Sequence, residues 1–315
     1  MTPAESTLPL VALVGPTASG KSVLGVWIAE QFGGEVLACD STQLYCGFDI
    51  GTAKPGQAER RGVPHHLIDV LTPTEDATAG GYRQMALAML EDLRSRGRLP
   101  ILTAGTGLYL RALLEGLADV PQRSEELRER LRASAEEHAP GYLHRLLKRL
   151  DPVAAGKIAP ADEQKVIRAV EVCVLARQPV SEVHRAGRSP LAGWRALKIG
   201  LMPPRDALYA RIHARTDAML EQGWMEEVRS LMASGLPEKA KPFDFIGYRE
   251  LRQVLRGEKK LEAARAAIQQ ATRRYAKRQL TWFRKESGVH WIPGFGDDAR
   301  VQEEVRDWLG QQSLA

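Results

Sequence analysis

Leu8-Pro9-Leu10-Val11-Ala12-Leu13-Val14 runs directly into Gly15-Pro16-Thr17-Ala18-Ser19-Gly20-Lys21-Ser22. An uncharged apolar run followed by G-x-x-x-x-G-K-[ST], matched at every defined position, reads as a buried strand delivering a phosphate-binding loop to the start of a helix. Gly15 and Gly20 permit a tight loop whose backbone N–H groups converge on phosphate oxygens. Lys21 supplies neutralising charge, and the Ser22 hydroxyl suits magnesium. All eight residues of the loop are therefore taken to hold a di- or triphosphate. The motif leaves open whether a phosphoryl group moves or the diphosphate itself departs.

Working outward, Glu35 to Cys39, His66 to Val70 and Pro100 to Ala104 are further apolar runs of strand length. Helical stretches lie between them, clearest at Ser22 to Gln31 and Gly81 to Arg96. This alternation predicts an α/β fold, a P-loop NTPase-like parallel sheet. Arg195 to Met202 reads as a later strand of the same sheet, and His290 to Pro293 as a short last one. The region from Pro121 is rich in Glu, Arg, Leu and Ala and carries no strand pattern, so a helical insertion is expected over 121–189. The catalytic core then comprises 1–120 and 190–315. From Arg205 to Glu286 the chain is helical again, interrupted at Gly235-Leu236-Pro237 and near Lys241-Pro242.

Composition is that of a globular enzyme: 44% hydrophobic and 26% charged residues, with no apolar run of membrane-spanning length. No secretory leader pattern opens the chain, so a cytoplasmic location is expected. Cys39, Cys46 and Cys173 are too few and too scattered for a disulfide framework or a zinc site. The net charge of +5 favours a polyanionic partner without establishing one. Its distribution says more. Arg273, Arg274, Lys277, Arg278, Arg284 and Lys285 fall between Ala271 and Lys285 with no acidic residue among them. Such a face can neutralise RNA phosphates or simply be solvated. Of the aromatics interleaved there, Trp282 is expected in the core.

Asp40 follows the second strand, where ligands of open α/β sheets bind. It is a candidate general base; a helix N-cap or a magnesium ligand are the other readings of an Asp so placed. Ala104-Gly105-Thr106-Gly107 ends another strand. Its glycines allow close backbone approach, and the Thr106 hydroxyl can donate to a diphosphate or cap a helix. His65 and His66 have no further ligand at zinc spacing and are read as loop and strand-end residues.

Six stretches in order, GPTASGKS (15–22), DSTQLYCGFDIGTAKP (40–55), VPHHLID (63–69), AGTGLYLRALLEG (104–116), IGYREL (246–251) and YAKRQLTWFRK (275–285), together resemble the bacterial tRNA dimethylallyltransferases, or tRNA isopentenyltransferases. Only the first is shared widely. The resemblance implies transfer of a dimethylallyl group from dimethylallyl diphosphate to the N6 amine of the adenosine immediately 3′ of the anticodon, in tRNAs reading codons that begin with U. It implies Asp40 as general base, Thr106 and Arg215 at the diphosphate, and Mg2+ on Ser22. Asp40, Ser41, Thr42, Gln43, Thr106 and Arg128 would meet the tRNA, together with Gln164, Lys165, Val166, Ile167 and Arg168 on the insertion. Arg211 is the alternative to Arg215 if the register slips by a helical turn. On the insertion, Val166, Ile167, Val170 and Val174 are expected to form one apolar helix face, with Gln164 and Arg168 opposite. The anticodon stem-loop is the expected partner, a monomer the expected state. An isopentenyl transferase of free AMP or ATP, a P-loop small-molecule kinase and an RNA-binding nucleotide switch are the competing readings. Departures from the family pattern are Ala104 for Gly, Ser22 for Thr, a bulky Asp244-Phe245 pair and the stretch Thr78 to Tyr82.

Overall fold

The computed structural model describes residues 7–118, 120–185 and 187–312. Its elements in chain order are β1 (Leu8–Val14), α1 (Lys21–Phe32), β2 (Gly34–Cys39), α2 (Gln57–Arg60), β3 (His65–His66), α3 (Ala79–Ser95), β4 (Leu99–Ala104) and α4 (Gly107–Leu114). There follow α5 (Glu125–Glu136), α6 (Tyr142–Leu150), α7 (Pro152–Ala155), α8 (Glu163–Ala176) and α9 (Val180–Arg185). The chain then continues through β5 (Trp194–Leu201), α10 (Arg205–Glu221), α11 (Trp224–Ala233), α12 (Tyr248–Leu255), α13 (Leu261–Phe283), β6 (Val289–Ile292) and α14 (Ala299–Gln311). Two compact units result, one of residues 1–114 and 192–315, the other of residues 115–191. Among the described residues no helix is long and apolar enough to cross a membrane.

The first unit is built on a parallel sheet of order β3-β2-β4-β1-β5-β6. In β1, residues Leu10 to Val14 are wholly buried, as a central strand covered on both faces requires. Val11 sits opposite Ile101 of β4 and Leu197 of β5, so branched side chains stack across three strands into the core under α1 and α14. The strand expected over His66 to Val70 is only the pair His65–His66. Leu67 and Asp69 adopt positive φ, at 59° and 56°, and that backbone cannot continue a pleated ladder. His66 Nε2 instead donates to the Glu35 carboxylate at 2.6 Å, which Arg96 also holds. The Arg96 hydrogen bond keeps Glu35 below the usual carboxylate range against its burial.

The second unit has its own core, in which Leu131, Leu143, Leu147, Val166, Ile167 and Val170 are buried. Glu171, with no exposed surface, is its one charged centrepiece on α8: it accepts from Arg128 Nε at 3.0 Å, Arg168 Nη1 at 2.6 Å and the Ser124 amide at 2.8 Å. Burial works against this carboxylate, yet the two guanidinium groups and the amide leave it below its ordinary range. Val174 is exposed, so the apolar face of α8 turns through Cys173 rather than ending on Val174. The three cysteines are free thiols.

Candidate active site

The loop after β1 folds as its glycines require: Gly15 has φ 143° and Gly20 φ 89°, conformations that side chains disfavour. A Cβ on Gly20 would stand 2.7 Å from the Gly296 amide, because the segment before α14 packs directly on the loop and Gly296 N donates to Ser19 O at 2.9 Å. Lys21 at the start of α1 curls back, Nζ donating to Gly15 O at 3.0 Å and Pro16 O at 2.7 Å. Arg215 of α10 donates to Thr17 Oγ1 at 2.7 Å. Both cations are half-buried. Burial brings the Lys21 ammonium down to about 7, Asp40 opposing the fall and Arg215 adding to it. Burial likewise lowers Arg215, with Asp40 opposing. Two desolvated positive groups beside a ring of backbone amides form a site for a polyanion.

Asp40 leaves β2 at its carboxyl end. Its Oδ1 is committed locally, accepting from Thr42 N at 2.9 Å and Thr42 Oγ1 at 2.8 Å, a side-chain turn that fixes the carboxylate. Oδ2 faces Gly105, where a Cβ would lie 1.9 Å away. Gly105 is thus needed for Asp40 to lie where it does. Thr106 Oγ1 accepts from Ser41 N at 3.0 Å and donates to Ser41 Oγ at 3.2 Å, so the loops after β2 and β4 are stitched together through the two hydroxyls. Beneath them the Cys39 thiol is buried and pushed up to about 12 by its burial, which keeps it an inert proton-bearing group.

Thr17 to Val23, Asp40 to Gln43, Gly51 to Ala53, Gly105, Arg215, Tyr275 and Gln279 line one cleft of about 570 Å³. One stretch of its wall is apolar, made of Met219, Trp224, Phe245, Ile246 and Ile268, while Glu59, Arg211, Asp244 and Arg278 also line it. Arg215 and Met219 lie one turn apart on α10, and Gln279, Tyr275, Thr272 and Ile268 follow one another along α13, so both helices run from a polar end to an apolar one.

Sequence reasoning placed Asp40, the loop, Gln43 and Arg215 in one site, and they share this cleft. Arg211, the alternative, lines the same cleft, where its guanidinium also makes two 2.7 Å bonds to Asp297 and lies 4.0 Å over the Phe295 ring. The Thr106 hydroxyl is bonded to Ser41 and lies beside Tyr275, a residue of the cleft wall. Arg128 is committed to Glu171 in the second unit. In the same unit Gln164 and Lys165 are exposed, but Val166 and Ile167 are buried in its core, because the helical spacing that turns 164 and 165 outward turns the next two inward. The side chains of those two are packed into that core. Trp282, expected in the core, is 36% exposed beside Gly107, under the Arg111 guanidinium; Phe283 takes the buried position instead.

Gln279 was missed. It is the pin of the site: Oε1 accepts from Thr17 N at 2.7 Å and Nε2 donates to Gly105 O at 2.8 Å, with Tyr275 OH donating to the same carbonyl at 3.2 Å. The i,i+4 pair Tyr275/Gln279 in YAKRQ was legible; its partners were not. Glu227 and Tyr248 were missed too. Asp244-Phe245 finds its room in an aromatic cluster, with Phe243 5.6 Å and Phe245 6.4 Å from Phe48, and Thr78 caps α3 by accepting from Gly81 N.

A family model described as IPP transferase matches residues 43–286. The chain belongs to the IPP transferase family. It is 54% identical over 296 residues to the tRNA dimethylallyltransferase of Koribacter versatilis (strain Ellin345), covering 94% of this chain and 96% of that protein. It is 50% identical over 308 residues to the tRNA dimethylallyltransferase of Solibacter usitatus (strain Ellin6076), covering 96% and 100%. The full-length tRNA isopentenylpyrophosphate transferase of Bacillus halodurans superposes with TM-score 0.70 at 37% identity, covering 96% of each chain. A eukaryotic dimethylallyltransferase solved acting on tRNA superposes with TM-score 0.82 at 26% identity, covering 97% of this chain and 80% of that one. Family membership brings the parallel P-loop core and the prenyl-transfer class together on one chain.

Proposed function

We propose that this enzyme transfers the dimethylallyl group of dimethylallyl diphosphate to the N6 amine of the adenosine immediately 3′ of the anticodon, in tRNAs reading codons that begin with U, and releases diphosphate. The observation that carries the reading is the sharing of one cleft by a carboxylate with an uncommitted oxygen, Asp40, and two half-buried cations, Lys21 and Arg215.

The diphosphate lies on the backbone amides of Ala18, Gly20, Lys21 and Ser22, since Pro16 has no N–H, Thr17 N is given to Gln279 and Ser19 N to Pro16 O. Lys21 and Arg215 stabilise the charge that grows on it as the allylic C–O bond breaks, an electrostatic contribution aimed at the leaving group. Ser22 in the cleft wall offers a hard oxygen that suits Mg2+. Among the described residues no cluster of three His, Cys, Asp or Glu could hold a metal alone, so the diphosphate would supply much of its coordination. Bound there, the ion would neutralise leaving-group charge. The apolar wall accepts the prenyl carbons. The N6 amine is a weak nucleophile because its lone pair is delocalised into the ring; as its bond to carbon forms, Asp40 Oδ2 takes the proton, a role worth roughly 10²–10⁴-fold. Thr106 holds Ser41 and so the Asp40 turn. Exposed Arg274, Lys277 and Arg278 on α13, and Gln164 and Lys165 on α8, supply RNA backbone contacts whose strength falls with salt. The enzyme acts as a monomer in the cytoplasm.

The test is incubation with Mg2+, labelled dimethylallyl diphosphate and unmodified tRNA, with AMP and ATP as parallel acceptors. Label in N6 of a tRNA adenosine is expected, reduced about 10²–10⁴-fold in Asp40→Ala. Label in the free nucleotides alone, or phosphoryl transfer from ATP, would overturn the proposal.

A further inference from the structure

The Gln43 carboxamide has a decided orientation. Its Nε2 lies 3.3 Å from Thr52 O and 3.1 Å from Ala53 O, so both amide hydrogens are consumed by backbone carbonyls. The opposite orientation would set oxygen against two oxygens. Gln43 therefore reaches the cleft as an acceptor, Oε1, on the same wall as Asp40.

The two carbonyls belong to the loop Phe48 to Lys54, and that loop is held from far along the chain. Glu227 of α11 accepts from Asp49 N at 3.1 Å and Ile50 N at 2.8 Å with one oxygen, and from Tyr248 OH at 2.6 Å with the other. Tyr248 OH in turn accepts from Gly51 N at 3.1 Å. Three consecutive amides thus end on one carboxylate–phenol pair. Burial, then the Glu227 charge, push the Tyr248 phenol upward, so it stays a donor to Glu227. The fit is close: a Cβ on Gly51 would lie 2.3 Å from Trp224 Nε1 and 2.4 Å from the Tyr248 ring, and one on Gly247 1.9 Å from Trp224. Neither Glu227 nor Tyr248 Oη needs to touch a substrate to act; each fixes where residues 49–53 present their carbonyls.

We infer that Glu227 and Tyr248 are positioning residues for recognition of the acceptor base: through the 49–53 loop they hold Gln43 with Oε1 toward the cleft, where it accepts the N6 hydrogen that Asp40 does not take. This rests on the proposed acceptor, an adenine amine. An amine has two hydrogens and meets two acceptors; a purine lacking the amine, or carrying a keto oxygen there, leaves both acceptors unpaired.

The test uses the full-length enzyme and anticodon stem-loop RNAs carrying either adenosine or purine riboside at the target position, the second read by binding competition. Wild type should prefer adenosine. Tyr248→Phe and Glu227→Gln should each lose about tenfold of that preference and raise KM for RNA, with KM for dimethylallyl diphosphate unchanged. Gln43→Ala should lose the same preference, and the double variant Glu227→Gln/Gln43→Ala should lose no more than Gln43→Ala alone. Tyr248→Phe keeps the ring in the aromatic cluster, so it separates positioning from folding. Retained preference in Tyr248→Phe and Glu227→Gln, or additive losses in the double variant, would overturn the inference. Absence of prenyl transfer to RNA by wild type would instead remove the proposed function beneath it.

Discussion

Lys21 shows how a single half-buried charge ties affinity to pH. Its ammonium is brought to about 7 chiefly by burial, and a diphosphate beside it would favour the protonated form. Binding therefore takes up a proton once the pH passes about 7. Affinity for inorganic diphosphate should fall by up to about tenfold per pH unit above that point, and titrations in buffers of different ionisation enthalpy should register the proton. Lys21→Met should bind more weakly and lose that share of the slope; an unchanged slope in the variant would assign the proton elsewhere. At this scale the sequence was most readable where chemistry is local. The phosphate loop and Asp40 are spelled in consecutive residues. Gly105 is intelligible only with Asp40 Oδ2 beside it, and the pairing of Arg211 with Asp297, 86 residues away, has no local signal.

Helix α13 carries the element-scale lesson. Its basic residues drew attention in the sequence, yet the residues that make the site are Tyr275 and Gln279 on another face. Gln279→Leu should leave Thr17 N without its acceptor, while Gly105 O keeps Tyr275. The expected cost is about 1–3 kcal/mol of stability in denaturant unfolding, with weakened diphosphate binding. Wild-type affinity in this variant would show that the loop holds its shape unaided. Strand boundaries were predicted within a residue or two because an apolar run is its own signal. β3 was overestimated because nothing in His66 to Val70 announces two positive-φ residues. The 164–168 stretch divides in the structure: contiguous residues share a segment, but the helix turns 164 and 165 outward and 166 and 167 inward.

At the scale of the molecule, each of the two units has its own core, and the second depends on a buried ion cluster. Glu171→Ala strands two arginines and should cost this unit about 3–5 kcal/mol, read as faster hydrogen exchange across α5 and α8 with exchange in β1 and β4 unchanged. Because the Glu171 carboxyl is held below its ordinary value, its contribution is complete above that value and is lost as pH falls through the depressed one. Uniform loss of protection in both units would show them to unfold as one. The sheet was legible as a whole because each strand declares itself; the pairing of distant loops was not, since it is written in shape rather than in sequence. Thr17 and Gln279, bonded in the site, are 262 residues apart, and the Gly296 segment that packs on the loop comes later still. During synthesis the phosphate loop therefore waits on the order of tens of seconds for its last supports. A nascent chain or a prematurely terminated fragment ending before α13 carries the whole motif and yet has no finished cradle, so the loop takes its final form only as synthesis nears its end.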